Sequence, residues 1–595
     1  MLIQLPPELI LSILSLLDLS CIQAFSLVCK TCKRLVDENE SSIYHALSAY
    51  RGYIDSKTVF NQLPSLYSSK SLVGVTNWKS FCQRRVHISK SWTGKASSHY
   101  VSYAGSGSKV HRIKVDEQAG FIITSFRDGG LLVNDLADDQ VLWSLPKTYV
   151  KQFAHLEYGE GFLIFDRLGG NKEVWHLASG FPPTPPQSNA LPDQISASEE
   201  SYQKHAATYP KGHFKPWTNL RMPRLTSAFR FVYPTLLVGG WDHAFLWDIP
   251  SGELVQTITS IQEAEDPNSA FAVVVANAPS FDAPAPRLGP LGNLNYVDVD
   301  EKHIFICGVT ALRVFSRATA KCVLDVPSAR REFGSRKFSV KYESGTPTEG
   351  AALVNHFTDG EEFTLSSSSF QPRIIDEFVA GESCYTVHSA VHVSSCGRHL
   401  VAMLASARVV VMENFQEGPF SLYNRMVQIQ LGASRSPSKY LAIHDDRVVV
   451  ANNNGLFLFS LSAALEAKIK PDASPSGTLV ISRAPFLGYH VYMSNVTCLQ
   501  LSDTGLYLNW DPSHLQLCLE DEAEKARLDA LFRVSVNDRT SRHARMPTGD
   551  ILIMLDEGIF IVAVQRLLVT TSDSTHLDDF FTEKSTVCGI DFTPL

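Results

Sequence analysis

Apolar positions follow a helical rhythm at the start of the chain and a strand rhythm over most of the rest. Leu9, Ile10, Ile13, Leu16 and Leu17 fall on one face of a helix repeating every ~3.6 residues. Pro6 and Pro7 stand where that helix begins, because a proline has no N–H to donate inward. Asp18-Leu19-Ser20 supplies a break with capping side chains. A second helical run covers 22–28, and a third, more basic one covers 29–35. Three short helices within residues 1–50 bury too little to make a comfortable domain alone. Their remaining apolar face wants a partner.

From about residue 97 short apolar strands of period two alternate with Asp-Gly, Gly-Gly and Asn-Gly turns. The clearest unit, 110–145, predicts strands at 111–115, 121–125, 131–135 and 141–143, with a turn at Asp128-Gly129-Gly130. Four antiparallel strands in such a length make one blade of a β-propeller, near the ~40–45-residue spacing of WD repeats. Weaker copies start at 151 and cover 229–258, 297–326, 390–415 and 440–461. A last copy is drawn from 496–500 through 551–564, with the tail 588–595 free to pair elsewhere. Trp247-Asp248 ends a third strand with the dipeptide that names the WD repeat. The count comes to about seven four-stranded blades. Ring closure is expected to borrow 99–102 as the outer strand of the final blade, which removes a free edge. A two-sheet sandwich is the alternative, disfavoured by the repeat spacing.

Long inserts stretch several blades, at 181–224, 261–291, 327–385, 467–483 and 511–549. Two are rich in basic and aromatic residues. Lys211, Lys215, Arg221 and Arg224 interleave with Tyr209, Phe214 and Trp217, and Arg330, Arg331 and Arg336 surround Phe333 and Phe338. Arginine forks match phosphate geometry, so either cluster is a candidate for an acidic or phosphorylated peptide, against the plainer reading of a solvated face. Between 51 and 96 the chain reads as a connector, with a short basic amphipathic helix at 77–85 followed by Trp92-Thr93-Gly94-Lys95. A packed connector would fix the separation of the two ends, where a Gly/Ser linker would let it wander.

Composition narrows the function classes. The 595 residues are 44% hydrophobic and 19% charged, as in a globular protein with ample core, and a net charge of -8 argues against a general nucleic-acid binder. Eleven cysteines form no framework, and the one CxxC, Cys29 and Cys32, lacks the second pair a zinc site needs. That usage fits a reducing compartment. No Lys or Arg precedes Lys30, Pro6, Pro7, Glu8 and Asp18 interrupt the apolar start, and no membrane-spanning run exists. A cytoplasmic or nuclear protein is expected, with no membrane partner. No nucleophile elbow, zinc-protease motif or P-loop occurs, so no catalytic residue, cofactor or metal is expected. His388 and His392 are expected on one sheet face.

The opening run Leu5-Pro6-Pro7-Glu8-Leu9-Ile10, the step Ile13 to Leu16, and Leu27-Val28-Cys29-Lys30 followed by Arg34 and Leu35 together resemble the F-box. The match departs in two places: Cys32 or Lys33 replaces an aromatic after the Cys-Lys pair, and Ile43-Tyr44 stands where a Trp often ends the motif. With the connector and the blades, the whole chain resembles the F-box/WD-repeat family. That resemblance implies an α plus all-β chain: a three-helix F-box at 1–50, a helical connector at 51–96 and a propeller at 97–595. It implies docking on the Skp adaptor of cullin–RING ubiquitin ligases through Leu5, Pro6, Leu9, Ile10, Ile13, Leu17 and Val28. The propeller would then present a protein substrate, with no chemistry of its own. A non-catalytic scaffold that uses the F-box for assembly is the alternative, and a propeller enzyme a more distant one. A plain helical cap is the bland reading of the first fifty residues.

Overall fold

Pro6 and Pro7 open the first helix, α1 (Pro7–Leu14), in the computed structural model of the chain. The Asp18 break leads into α2 (Leu19–Val28), and Cys29 in extended backbone separates it from α3 (Lys30–Glu38). A fourth helix, α4 (Glu40–Tyr50), follows where three were expected. Its Ile43, Tyr44 and Leu47 are buried with Ile10, Leu14, Ile22 and Val36, so the segment closes the small core that three helices leave open. After a single turn, α5 (Leu63–Leu66), the connector helix α6 runs Trp78–Trp92, well beyond the predicted 77–85. Asn77 starts it with a reciprocal cap: its Oδ1 accepts from Ser80 N–H at 2.8 Å, and Ser80 Oγ accepts from Asn77 N–H at 3.1 Å. Trp78, Phe81 and Cys82 of α6 join the same core as the N-terminal helices.

The structure describes residues 5–107, 109–167, 169–182, 190–205, 211–263, 290–328, 333–340, 362–364, 366–372, 387–417, 422–431, 438–452, 455–467, 479–484, 496–509, 542–545, 551–555, 558–562 and 586–594. They form two compact units, 1–510 with 585–595, and 511–584. In the first unit seven four-stranded antiparallel blades follow α6 and form a β-propeller. Four are contiguous in sequence, from Val110–Asp116 to Val141–Leu145, Leu156–Gly159 to Phe214–Leu220, Thr226–Val232 to Glu253–Thr259, and Leu294–Val299 to Cys322–Pro327. The fifth runs from His388–Val393 to Met426–Gln430 and the sixth from Ser438–His444 to Leu479–Arg483. The first strands of successive blades touch one another all the way round, which closes the ring.

Apolar clusters lie between blades rather than within them. Phe121, Ile123 and Trp143 of the first blade pack with Leu163, Trp175 and Phe214 of the second, and Trp217 and Ile164 of the second pack with Phe245 and Trp247 of the third. Strand alternation therefore feeds two interfaces at once, and the middle strands read as continuous apolar runs because both faces are covered.

The seventh blade is assembled from three distant pieces. Leu499–Leu501 pairs with Gly505–Asn509, which pairs with Val587–Asp591, and the outer strand is Ser98–Tyr103, with Tyr100 opposite Ile590 and Val101 opposite Gly589. The expected borrowing of 99–102 is seen. The expected placement of 551–564 is not: the third strand is the tail Val587–Asp591, and Ile551–Leu555 belongs to the second unit. There it forms a three-stranded antiparallel sheet with Arg542–Arg545 and Gly558–Val562. Apolar content marks a strand but not its partner, and several strands of similar character competed for that place.

Three of the supposed inserts contain blade or edge strands. Phe214–Leu220 and Leu479–Arg483 are the outer strands of the second and sixth blades. Outer strands face solvent on one side and tolerate Pro216, so their alternation is blurred. Within 327–385, Arg336–Val340 adds in parallel to Met426–Gln430, and Ser366–Pro372 pairs with both Arg336–Val340 and Leu479–Arg483. The fifth and sixth blades thereby share a ten-stranded sheet. Glu362–Phe363 pairs with Ser98 and His99 at the edge of the seventh.

Candidate functional site

The N-terminal helices divide their apolar residues between two sides. Ile10 and Leu14, four residues apart, turn inward and are 4% and 0% exposed, with Ile22 and Val36 beside them. Leu17 is half-buried against the same core. Leu9 at 52%, Leu16 at 59%, Leu27 at 83% and Val28 at 70% face outward, joined by Leu5 and Ile13. Of the residues assigned from sequence to adaptor docking, Leu5, Pro6, Leu9, Ile13 and Val28 are exposed, whereas Ile10 is consumed by the internal core. Leu16 and Leu27, quoted from the motif but not assigned to the docking face, belong to the exposed set. The signal that could have separated them is the Ile10–Leu14 pair, whose spacing marks the inner stripe. Large aliphatic side chains left outward on and beside two short helices cost solubility unless something covers them.

Behind this surface the helices are tied to the propeller by polar and aromatic contacts. Arg85 of α6, itself buried, pairs with Asp503 in the turn between the first two strands of the seventh blade. Ser71 Oγ donates to the same carboxylate at 2.9 Å, and Lys70 pairs with Asp591 at 2.9 Å. Trp92, at the end of α6, stacks on Phe592 with ring centroids 3.8 Å apart, and the Arg447 guanidinium lies 4.6 Å from the Trp92 ring. Burial opposes the charge on Arg85, yet the Asp503 carboxylate outweighs it and holds the guanidinium above its ordinary value. Burial likewise opposes ionisation of Asp503, but Arg85 and Arg447 keep it below the usual aspartate range. The connector is thus a packed joint between the N-terminal helices and the blades.

The first strands of the first five blades carry a chain of buried charges. Lys114 pairs with Glu157 at 2.8 Å, Glu157 with Arg230 at 3.2 Å, Arg230 with Asp298 at 3.3 Å, and Asp298 with His392 at 3.1 Å. His392 Nε2 also lies 3.1 Å from Leu441 O in the sixth blade, and Gln500 in the seventh exchanges hydrogen bonds with the Val115 backbone of the first. Burial alone would push Glu157 and Asp298 up. Lys114 and Arg230 hold Glu157 far below the usual range, and His392 with Arg230 lowers Asp298 from its ordinary value. His388 and His392 share a strand but not the one sheet face expected for them, because a bulge between His388 and Ala390 shifts the alternation: His388 stands opposite Leu404 and His392 opposite Val401, whose side chains belong to different clusters. His388 is spent on Val326 O at 3.1 Å. Among the described residues no cluster of His, Cys, Asp and Glu could hold a metal ion, and no helix is long and apolar enough to cross a membrane.

The basic clusters do not converge as side chains. Lys211 pairs with Asp135 at 2.6 Å, and Lys215 is exposed with its Nζ 5.4 Å from the Phe181 ring. Arg221 and Arg224 lie on the surface between the second and third blades. Arg336 pairs with Glu413, while Phe333 and Phe338 are buried in the propeller core. Arg330 and Arg331, like Tyr209, lie outside the described residues.

A sequence model of the F-box domain matches residues 2–44. No curated protein sequence matches the chain. Among solved structures, the chain is similar to the β-propeller domain of Cps50 (Swd1) from Myceliophteria thermophila, at 10% identity and a TM-score of 0.39, covering 69% of this chain and 96% of that one. The WD40 repeats of RRP9 give 8% identity and a TM-score of 0.37, covering 69% and 90%. A computationally designed protein, Ika8, gives 11% identity and a TM-score of 0.36, covering 70% and 97%. Likeness at this level carries nothing about what the chain binds.

Proposed function

We propose that this chain, an F-box domain followed by a seven-bladed β-propeller in the arrangement of an F-box/WD-repeat protein, is a substrate receptor of a Skp–cullin–F-box ubiquitin ligase. The observation that carries the reading is the uncovered aliphatic surface of Leu9, Ile13, Leu16, Leu27 and Val28, placed within the segment that matches the F-box. Burying one such side chain in an interface contributes about 1.5–3 kcal/mol, so four or five are ample for a stable dock. The joint through Arg85, Asp503, Trp92 and Phe592 supports a second part of the reading, a set reach between adaptor and substrate. In this scheme the chain supplies proximity, raising the effective concentration of a target lysine near a ubiquitin thioester held by other subunits. The substrate is a protein in the cytoplasm or nucleus, held by the blades, with the surface around Arg221 and Arg224 as the first place to look.

The test is a pull-down of the full chain by a purified Skp adaptor, with a Leu9→Asp, Leu27→Asp variant beside it. Both side chains are exposed, so the variant folds, and circular dichroism should be unchanged. Each Asp puts an unpaired carboxylate into the proposed interface, and retention should fall by at least about a hundredfold, the equivalent of ~3 kcal/mol. An intact chain that does not bind overturns the reading, and so does a variant that binds as well as the parent.

A further inference from the structure

Cys29 and Cys32 meet at the junction of α2 and α3 with their sulfur atoms 3.4 Å apart. Cys29 is the N-cap of α3, with extended backbone at φ −162° and ψ 167°, and its Sγ accepts from Cys32 N–H at 3.4 Å. The first turn of a helix directs unsatisfied N–H groups and positive partial charge at this position. Hydrogen bonding from the Cys32 backbone holds the Cys29 thiol below its ordinary value, and burial pushes Cys32 up. Accessibility follows the same split. Cys29 is half-buried and reachable, whereas Cys32 is 2% exposed. An accessible, more acidic thiol three residues before a sheltered one is the division of labour of a dithiol that attacks with the first sulfur and resolves with the second.

We propose that Cys29 and Cys32 form a redox-active dithiol whose oxidant is a low-molecular-weight disulfide of the glutathione class. The Cys29 thiolate attacks one sulfur of the oxidant, breaking its S–S bond, forming a mixed disulfide and releasing one glutathione thiolate. Cys32 then loses its proton to solvent and attacks Cys29 Sγ, which expels the second glutathione and closes the intramolecular bond. The chain gives up two hydrogens and two electrons, and the oxidant leaves as two thiols. Closing the gap to a bond of about 2.05 Å asks for a movement of only ~1.4 Å, within the reach of side-chain rotation at an extended residue. The site is independent of any partner, although it adjoins Leu27 and Val28.

The experiment equilibrates the full chain in glutathione buffers from reducing to oxidising, quenches with acid, alkylates the remaining thiols and maps non-reduced peptic fragments by mass spectrometry. In oxidising buffer the fragment containing both residues should be lighter by two hydrogens and carry neither alkyl label, and dithiothreitol should restore both labels. Exposed Cys21 reports, through its glutathione adduct, that the oxidant reached the protein. Cys32→Ser should trap glutathione on Cys29, and Cys29→Ser, which keeps a capping oxygen, should leave Cys32 labelled. The proposal is overturned if both thiols stay labelled while Cys21 is glutathionylated, or if the parent chain accumulates glutathione on Cys29 instead of the internal bond. Should Cys32→Ser misfold, the mass of the parent fragment still decides.

Discussion

Single side chains carry the strongest electrostatic commitments of this molecule. Glu157 is almost fully buried between Lys114 and Arg230, which are themselves mostly covered. Replacing Glu157 with Gln leaves two cations without their shared counter-charge. We expect a loss of about 3 kcal/mol, read as a lower urea midpoint of tryptophan fluorescence, because breaking one partner out of a buried ionic group is costly. An unchanged midpoint would mean that water or Asp298 screens both cations. The residue scale also shows what periodicity can and cannot deliver. The stripe through Leu9, Ile10 and Ile13 was legible, as were the prolines that start it. Which edge of the stripe points outward was not, because an apolar arc on a short helix can serve an inner core and an outer partner together. Ile10 and Leu14 went to the inner core, and Leu9 and Ile13 face outward.

At the scale of elements, the joint between α6 and the seventh blade governs how the two halves of the chain move. Asp503 is held below the ordinary aspartate pKa of about 3.9, so it contributes stability above that value and loses it as the pH falls through its lowered folded value. Hydrogen exchange across α6 should therefore be slow at neutral pH and rise on acidification below about pH 4. Asp503→Asn should bring fast exchange to pH 7 by leaving Arg85 buried beside a neutral side chain. If α6 in that variant stays as protected as in the parent, the aromatic stack of Trp92 on Phe592 is the true fastener. The capped start of α6 was visible in sequence, but its full length was not. Its second half, Arg85 to Trp92, mixes polar residues with the β-branched Val86 and Ile88 and shows no clean helical stripe, so its length depends on the contacts it makes. The outer strands were lost for a related reason. Phe214–Leu220 pairs along one edge only, and Leu479–Arg483 takes its second partner, Ser366–Pro372, from a distant stretch, so neither leaves a clear trace in composition.

For the whole molecule, closure of the ring depends on Ser98–Tyr103, which five backbone pairs join to Val587–Asp591. A chain beginning at Lys95 should retain a propeller with cooperative thermal unfolding, since every blade keeps four strands. One beginning at Gly105 should aggregate or melt far lower, because the seventh blade would present an unpaired edge. Equal stability of the two would show that the outer strand is ornamental. The architecture as a class was readable, through turn spacing, the Trp247-Asp248 dipeptide and the borrowed strand. The separate unit at 511–584 was not, since the three strands described there look like any other blade strands until their partners are known.

The same borrowed strand sets a clock on biosynthesis. Ser98–Tyr103 leaves the ribosome 484 residues before its partner begins at Val587. At translation speeds of ~5–20 residues per second, the nascent chain waits roughly half a minute to a minute and a half with its seventh blade missing a middle strand. The N-terminal helices are complete throughout that interval, whereas the sixth blade can close only once Arg483 is made, 104 residues before Val587. An exposed aliphatic patch and a raw sheet edge are then displayed together, which makes the growing chain a natural client for holding chaperones until its last strand slots in.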